Sequence, residues 1–215
     1  MTVRVGAALA LVATMLFASP ASAGAPTDAL RDHIDRIFAL LGDPAMKSPD
    51  NVAARHRALR ALTEEAVDFR EAAQRSLGSH WDARTPAQQT YFIRLFTDLI
   101  DHAYLGRLAL DGERLAYDEE TTSGKVAVVH ARALSKSGSV TPVIFSLYQG
   151  VDAKWRIYDV SFEGMSLVGT YRAQFNKIIR VSSYDELVSR LEAKTRSDAQ
   201  ASARTTEAPS TTTRP

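Results

Sequence analysis

Residues 125–162 read KVAVVHARALSKSGSVTPVIFSLYQGVDAKWRIYDVSF. Apolar side chains alternate along this run, which is the period of a β-strand and not of a helix. Ala127, Val129, Ala131 and Ala133 fall on one side of segment 125–134, and Val126 and Val128 on the other. In segment 140–149, Val143, Phe145 and Leu147 oppose Val140, Ile144 and Tyr148. A third strand covers 154–162, and a fourth lies upstream at 113–118. Thr122, Ser123 and Gly124, the stretch 135–139 and the stretch 150–153 supply the turns between them. Connections this short join antiparallel neighbours. Much of both sheet faces is apolar, so helices are expected to cover part of each. The pattern leaves two readings open: a packed core, or small residues such as the alanines leaving room for an apolar ligand.

Outward from the sheet the period becomes helical. Thr27 or Asp28 can cap a helix reaching about Leu41, with Leu30, Ile34, Ile37, Phe38 and Leu41 at helical spacing. A loop covers 42–49. Helices follow over about 51–64 and 69–77, the second stopped by Gly78. The next has the clearest start: Thr85 caps, Pro86 takes the first helical position and Gln88 completes a capping box. Phe92, Leu95, Phe96, Leu99, Ile100 and Ala103 give it a broad apolar face. Beyond the sheet, one helix spans about 167–180. Another begins at Ser183, with Glu186 forming a second capping box, and ends near Lys194. Helices, then strands, then helices indicate an α+β domain built on a twisted antiparallel sheet of about four strands.

The two ends read differently. In residues 1–23, Arg4 is the only charge, an apolar stretch runs from Val5 to Phe17, Pro20 breaks it, and Ala21-Ser22-Ala23 follows. This is the layout of a secretory signal cleaved after Ala23. The stretch is shorter than the roughly 20 residues needed to span a bilayer. No cysteine follows it, so no lipoprotein anchor is expected. Residues 24–196 form the domain. Residues 197–215 are rich in Ser, Thr, Ala and Pro and are expected to be disordered. An exported protein with no other membrane-spanning stretch belongs in the periplasm of a two-membrane bacterium.

Composition narrows the function. The chain has 26 basic and 25 acidic side chains, a near balance that argues against nucleic-acid binding. It has no cysteine, which removes disulfides, zinc–cysteine sites, iron–sulfur clusters and thiol catalysis. The histidines at 33, 56, 80, 102 and 130 have no metal-binding spacing. Ser166, in Gly164-Met165-Ser166-Leu167-Val168-Gly169, is reminiscent of a nucleophile elbow but has one residue too many before the second glycine. Asp118, Glu119 and Glu120 read as a solvated strand end, and Trp81 and Trp155 as core aromatics. No phosphate loop or dinucleotide fingerprint occurs, so no catalytic residue, metal or cofactor is expected.

The stretch YDVSFEGMSLVGTYRAQF at 158–175, followed by Ile178-Ile179, resembles the signature of the MlaC, or toluene-tolerance, family. LGSHW at 77–81 and TPAQQ at 85–89, leading into Phe92 and Phe96, resemble its second motif. The likeness extends over about 30–194. Met165 stands where valine is usual, and Gly169-Thr170 where a Ser-Asn type pair is common. The resemblance implies an NTF2-like-type mixed domain whose sheet and helices enclose an apolar tunnel. It also implies a periplasmic carrier that shuttles phospholipid, both acyl chains inside, between an outer-membrane lipoprotein complex and an inner-membrane MCE/ABC transporter. Such a carrier maintains outer-membrane lipid asymmetry and is expected to be a monomer.

On this reading the tail contacts are Leu95, Leu99, Val129, Val143, Phe145, Ile157, Val160, Met165, Leu167, Val168, Tyr171 and Phe175. Arg172 either meets a lipid phosphate or pairs with Glu163. Asp159 and Glu163 are expected to shape the strand-to-helix turn. Hopanoid-associated relatives of the HpnM type make a polycyclic lipid the alternative cargo. Two other classes stand against a carrier: an envelope lipid hydrolase using Ser166, and an adaptor with a filled interior.

Overall fold

The computed structural model describes residues 25–104 and 114–207. The expected signal segment at 1–23, the first residue of the expected strand at 113 and residues 208–215 lie outside them. Helices α1 (Ala25–Gly42), α2 (Pro44–Lys47), α3 (Val52–Ala66), α4 (Phe69–Leu77) and α5 (Pro86–Tyr104) come first. Strands β1 (Arg114–Ser123), β2 (Val126–Leu134), β3 (Val140–Gln149), β4 (Trp155–Phe162) and β5 (Met165–Ser166) follow, then α6 (Leu167–Val181) and α7 (Tyr184–Glu207). The strands form one sheet in chain order, each antiparallel to the next.

The starts and stops follow the local chemistry. Thr85 and Gln88 form the reciprocal box at the head of α5, with Thr85 N donating to Gln88 Oε1 at 3.0 Å and Gln88 N to Thr85 Oγ1 at 3.3 Å. At the head of α7 only half of a box forms, Glu186 N donating to Ser183 Oγ, because the Glu186 carboxylate turns to Arg190. Gly78 ends α4 with a φ of +55°, the left-handed region that suits glycine. The loop expected over 42–49 holds the single turn of α2, capped by Asp43.

Helix α7 runs past Lys194 to Glu207, where the composition of 197–215 had indicated disorder. Alanine favours helix, and pairs one turn apart extend it: Arg196 with Glu192, and Lys194 with Asp198. Strand β1 likewise runs five residues beyond Asp118, to Ser123. Its acidic run lies within the strand and not at its end, with Asp118 and Glu119 exposed and Glu120 half-buried. Asp118 holds Arg132 in a two-pronged ion pair, and Glu120 reaches helix α1.

Only one sheet face is covered throughout. Ala127, Val129 and Ala131 of β2, Val143, Phe145 and Leu147 of β3, and Trp155 and Ile157 of β4 are buried with Leu30 of α1. On the opposite face Val126, Val128, Ile144 and Tyr148 stay half-buried, and His130 and Arg132 are exposed. Helices meet the second face only at its β4 end, where Asp159 caps α6 and Tyr158 joins α4 and α6. Charged and polar residues break the second face, so covering it would bury groups that need water. A second apolar body lies among α4, α5, α6 and α7. It is centred on Phe92, Phe96 and Phe175, with ring centroids 5.7 to 6.2 Å apart, and includes Trp81. A third, small cluster joins Ile37 of α1 to Leu59 of α3.

Two bulges aim carboxylates at helix ends. In β1 the register slips between Tyr117 and Glu119, which brings Glu120 opposite Val129 and onto the covered face. There its Oε2 accepts from Thr27 N at 2.9 Å and Thr27 Oγ1 at 2.6 Å, in the first turn of α1. In β4 Tyr158 is the extra residue, between Ile157 opposite Leu147 and Asp159 opposite Ser146. Asp159 Oδ1 accepts from Val168 N at 2.9 Å and Oδ2 from Ser166 Oγ at 2.5 Å, at the head of α6. Free N–H groups and the positive end of the helix dipole both favour a carboxylate there.

Replacing either Glu120 or Asp159 by alanine is expected to lower the unfolding free energy by about 1–3 kcal/mol, read by urea titration. The two losses should add, since the sites cap different helices. Phe92→Ala is expected to cost about 3–5 kcal/mol in the same assay.

Candidate functional site

The β4 bulge divides one strand between two apolar bodies. Ile157 and Val160 turn to the sheet body, and Tyr158 packs against the helical body. Of the residues expected to touch acyl chains, Val129, Val143, Phe145, Ile157 and Val160 belong to the sheet body. Leu95, Leu99, Val168, Tyr171 and Phe175 belong to the helical body. Leu167 is half-buried, and Met165 is 69% exposed opposite Phe162, itself 52% exposed. The expected residues thus lie on both sides of a seam that follows β4. Within the helical body, Tyr171 and Phe175 pack on Phe96 with near-perpendicular rings, as core aromatics do.

Two clefts open to solvent along the seam. One, of about 340 Å³, lies between the end of α3, the start of α4, α5 and β4, and is lined by Glu64, Val67, Asp68, Phe69, Thr97 and Arg156. The peptide of Asp68 closes its floor by donating to the Ile157 carbonyl at 2.8 Å. Arg156 is fixed beside it by the Asp152 carboxylate at 2.6 Å. That hydrogen bond holds the Asp152 carboxyl down at about 2.

The other cleft, of about 390 Å³, lies between α4 and the head of α6, and its walls include Arg75, Tyr158, Ser166 and Arg172. Arg75 stacks on the Tyr158 ring at 4.1 Å while its Nε donates to Glu71. Arg172 is exposed and lies over Gly78, where a side-chain carbon would stand 2.8 Å from its Nε. No ion pair joins it to Glu163 among the described residues. Glu163 instead occupies the tight turn between β4 and β5, with φ of +50° beside Gly164 at +81°.

Ser166 is placed as a helix cap. Its Oγ donates to Asp159 and accepts from Gly169 N at 2.8 Å. The five histidines have other surroundings: His33 beside Arg36, His56 beside Asp101, His80 beside Asn176, His102 on its own helix, and His130 exposed. Sequence reading missed Glu120 and the carboxylates that meet on α3 and α5. The first needed the bulge, and the second needed contacts between segments about forty positions apart.

The family model described as MlaC protein matches residues 31–193. Among solved structures, the chain is similar to a phospholipid-binding protein from Ralstonia solanacearum, determined in complex with a phospholipid. The two share 21% identity at a TM-score of 0.70, over 82% of this chain and 99% of the other. That likeness is one of fold.

Ser166→Ala is expected to cost about 1 kcal/mol of stability through loss of the cap, read by thermal unfolding. The Asp152 carboxyl, followed by NMR, should titrate near pH 2, and Arg156→Ala should return it to the ordinary carboxylate range. Because the folded value is depressed, the pair's stabilisation is present above the unfolded value near ~4. It is lost as pH falls toward 2.

Proposed function

The chain belongs to the MlaC family, and from this premise we propose that it is a periplasmic carrier of phospholipid. The observation that carries the reading is the division of the apolar interior into a sheet body and a helical body that meet along β4. The acyl chains insert along that seam. Val129, Val143, Phe145, Ile157 and Val160 meet them from the sheet, and Leu95 and Leu99 from α5. Val168, Tyr171 and Phe175 form the back wall, Leu167 and Met165 the rim, and Arg172 stands at the second cleft for the phosphate.

The energetics explain why such a protein needs no catalytic group. Each methylene moved into water costs about 0.8 kcal/mol. Two long chains therefore face well over ~15 kcal/mol in crossing an aqueous gap unaided. A carrier that keeps the tails dry removes most of that barrier. The commitment of Ser166 to its cap supports binding and transport over hydrolysis. The partners on this reading are an outer-membrane lipoprotein complex, which yields or receives lipid, and an inner-membrane MCE/ABC transporter. The expected outcome is maintenance of outer-membrane lipid asymmetry. Export through the segment at 1–23, with cleavage after Ala23, places the carrier between them.

The test is to purify the protein from the cell envelope, extract it with solvent and identify the lipid by mass spectrometry. Stoichiometric phospholipid is expected. A polycyclic lipid in its place would reassign the cargo, and extracts without lipid would end the reading.

A further inference from the structure

Helix α3 is joined to the rest of the molecule in two unlike ways. Toward α1 its buried contact is carbon, Leu59 against Ile37 with Leu40, Leu41 and Leu62 around them, and the ion pair of Arg36 with Glu65 lies outside it in solvent. Toward α5 it is joined by charge. Arg60 Nη1 donates to Asp101 Oδ2 at 2.8 Å, Nη2 to Asp98 Oδ1 at 3.1 Å, and Nε to Glu64 at 2.9 Å. His56, one turn before Arg60, brings Nε2 to 3.2 Å from Asp101 Oδ1. Burial works against the Arg60 charge, but the hydrogen bonds it donates to Glu64 and Asp98 and the charge of Asp101 outweigh it and raise its pKa.

Asp101 is the unusual member. It is only 2% exposed, and its Oδ1 has no hydrogen bond of good geometry. A buried carboxylate regains hydration when its surroundings part, whereas an apolar contact loses about 25 cal/mol for each Å² exposed. A joint made of charges therefore separates at less cost than the carbon-packed joints on either side. This joint also walls a cleft. Glu64 and Thr97, which line the 340 Å³ cleft at the seam, stand one turn beyond Arg60 and directly before Asp98.

We propose that the α3–α5 joint is the gate of the apolar seam, and that Arg60, held by Asp98 and Asp101, is its latch. The proposal deepens the carrier reading and rests on it for the nature of the cargo. The hairpin of α1 and α3 stays with the sheet body, held there by Leu30 and Glu120, α5 stays with the helical body, and acyl chains pass between Glu64 and Thr97 as the two bodies part. In the open state Arg60, Asp98 and Asp101 are hydrated. In the closed state they hold the cleft shut against water.

The chain contains no cysteine, so one double variant, Glu64→Cys with Asp98→Cys, tests both states. Unlinked, it lacks two partners of Arg60. Linked by a short bismaleimide, it is pinned shut. Lipid exchange is followed with vesicles of phosphatidylethanolamine and phosphatidylglycerol carrying a pyrene-labelled phospholipid. Hydrogen exchange of α3 and α5 is followed with no vesicles present. Asp98→Asn, which leaves Asp101 paired, serves if the double variant does not fold.

Asp98→Asn should speed exchange of α3 and α5 amides by about tenfold, the size expected for one charged hydrogen bond lost, and the unlinked double variant, which loses two, by at least as much. Lipid exchange should rise with it and be abolished by the cross-link. Amide exchange unchanged in both variants overturns the gate, whatever the vesicles show. Equal lipid exchange in linked and unlinked protein also overturns it. Faster amide exchange in a protein that never takes up pyrene lipid, wild type included, overturns the carrier reading and leaves the joint as a point of opening.

Discussion

Two extra residues, one in β1 and one in β4, hold this fold to its shape. Each bulge turns a carboxylate that regular alternation would send to the other face. Glu120 then meets the first turn of α1, and Asp159 the first turn of α6. Without them both helices would present unpaired N–H groups to the sheet. The β4 bulge has a further effect, because the strand then supplies Ile157 and Val160 to one apolar body and Tyr158 to another. The seam between the bodies is thus a consequence of backbone register.

That seam separates two kinds of packing. The helical body is held by edge-to-face aromatics that leave few alternatives, with Phe92, Phe96 and Phe175 almost wholly buried. The sheet body mixes large side chains such as Phe145 and Trp155 with small ones, Ala127 and Ala131, beneath a single helix. A ligand that adds hydrocarbon between them gains contact on both sides and need not break the aromatic cluster. The charged junction of α3 with α5 is the remaining contrast. Carbon-rich contacts resist separation in water, and ionic ones exchange partners with it.

Much of this architecture is legible in the linear chain. The alternation over 125–162 set the strands and their antiparallel order, because a side chain every second residue must face one way. Thr85, Pro86 and Gln88 marked the head of α5, and Gly78 the end of α4, since each residue type satisfies a local backbone need. The signature at 158–175 pointed to the family matched over 31–193. Local rules failed where helix and tail compositions overlap, as along α7, whose ion pairs carry the helix past Lys194.

Tertiary structure decided the rest. Periodicity records that a face is apolar and says nothing of what covers it, so the two faces of the sheet looked alike until His130 and Arg132 were seen exposed on one. A bulge is a shift of one residue with no marker in composition, and it alone gave Glu120 a helix to cap. Arg60 and Asp101 stand 41 positions apart, and Arg60 and Asp98 stand 38 apart. Pairing over such distances depends on how whole helices pack, which no local pattern of residues encodes.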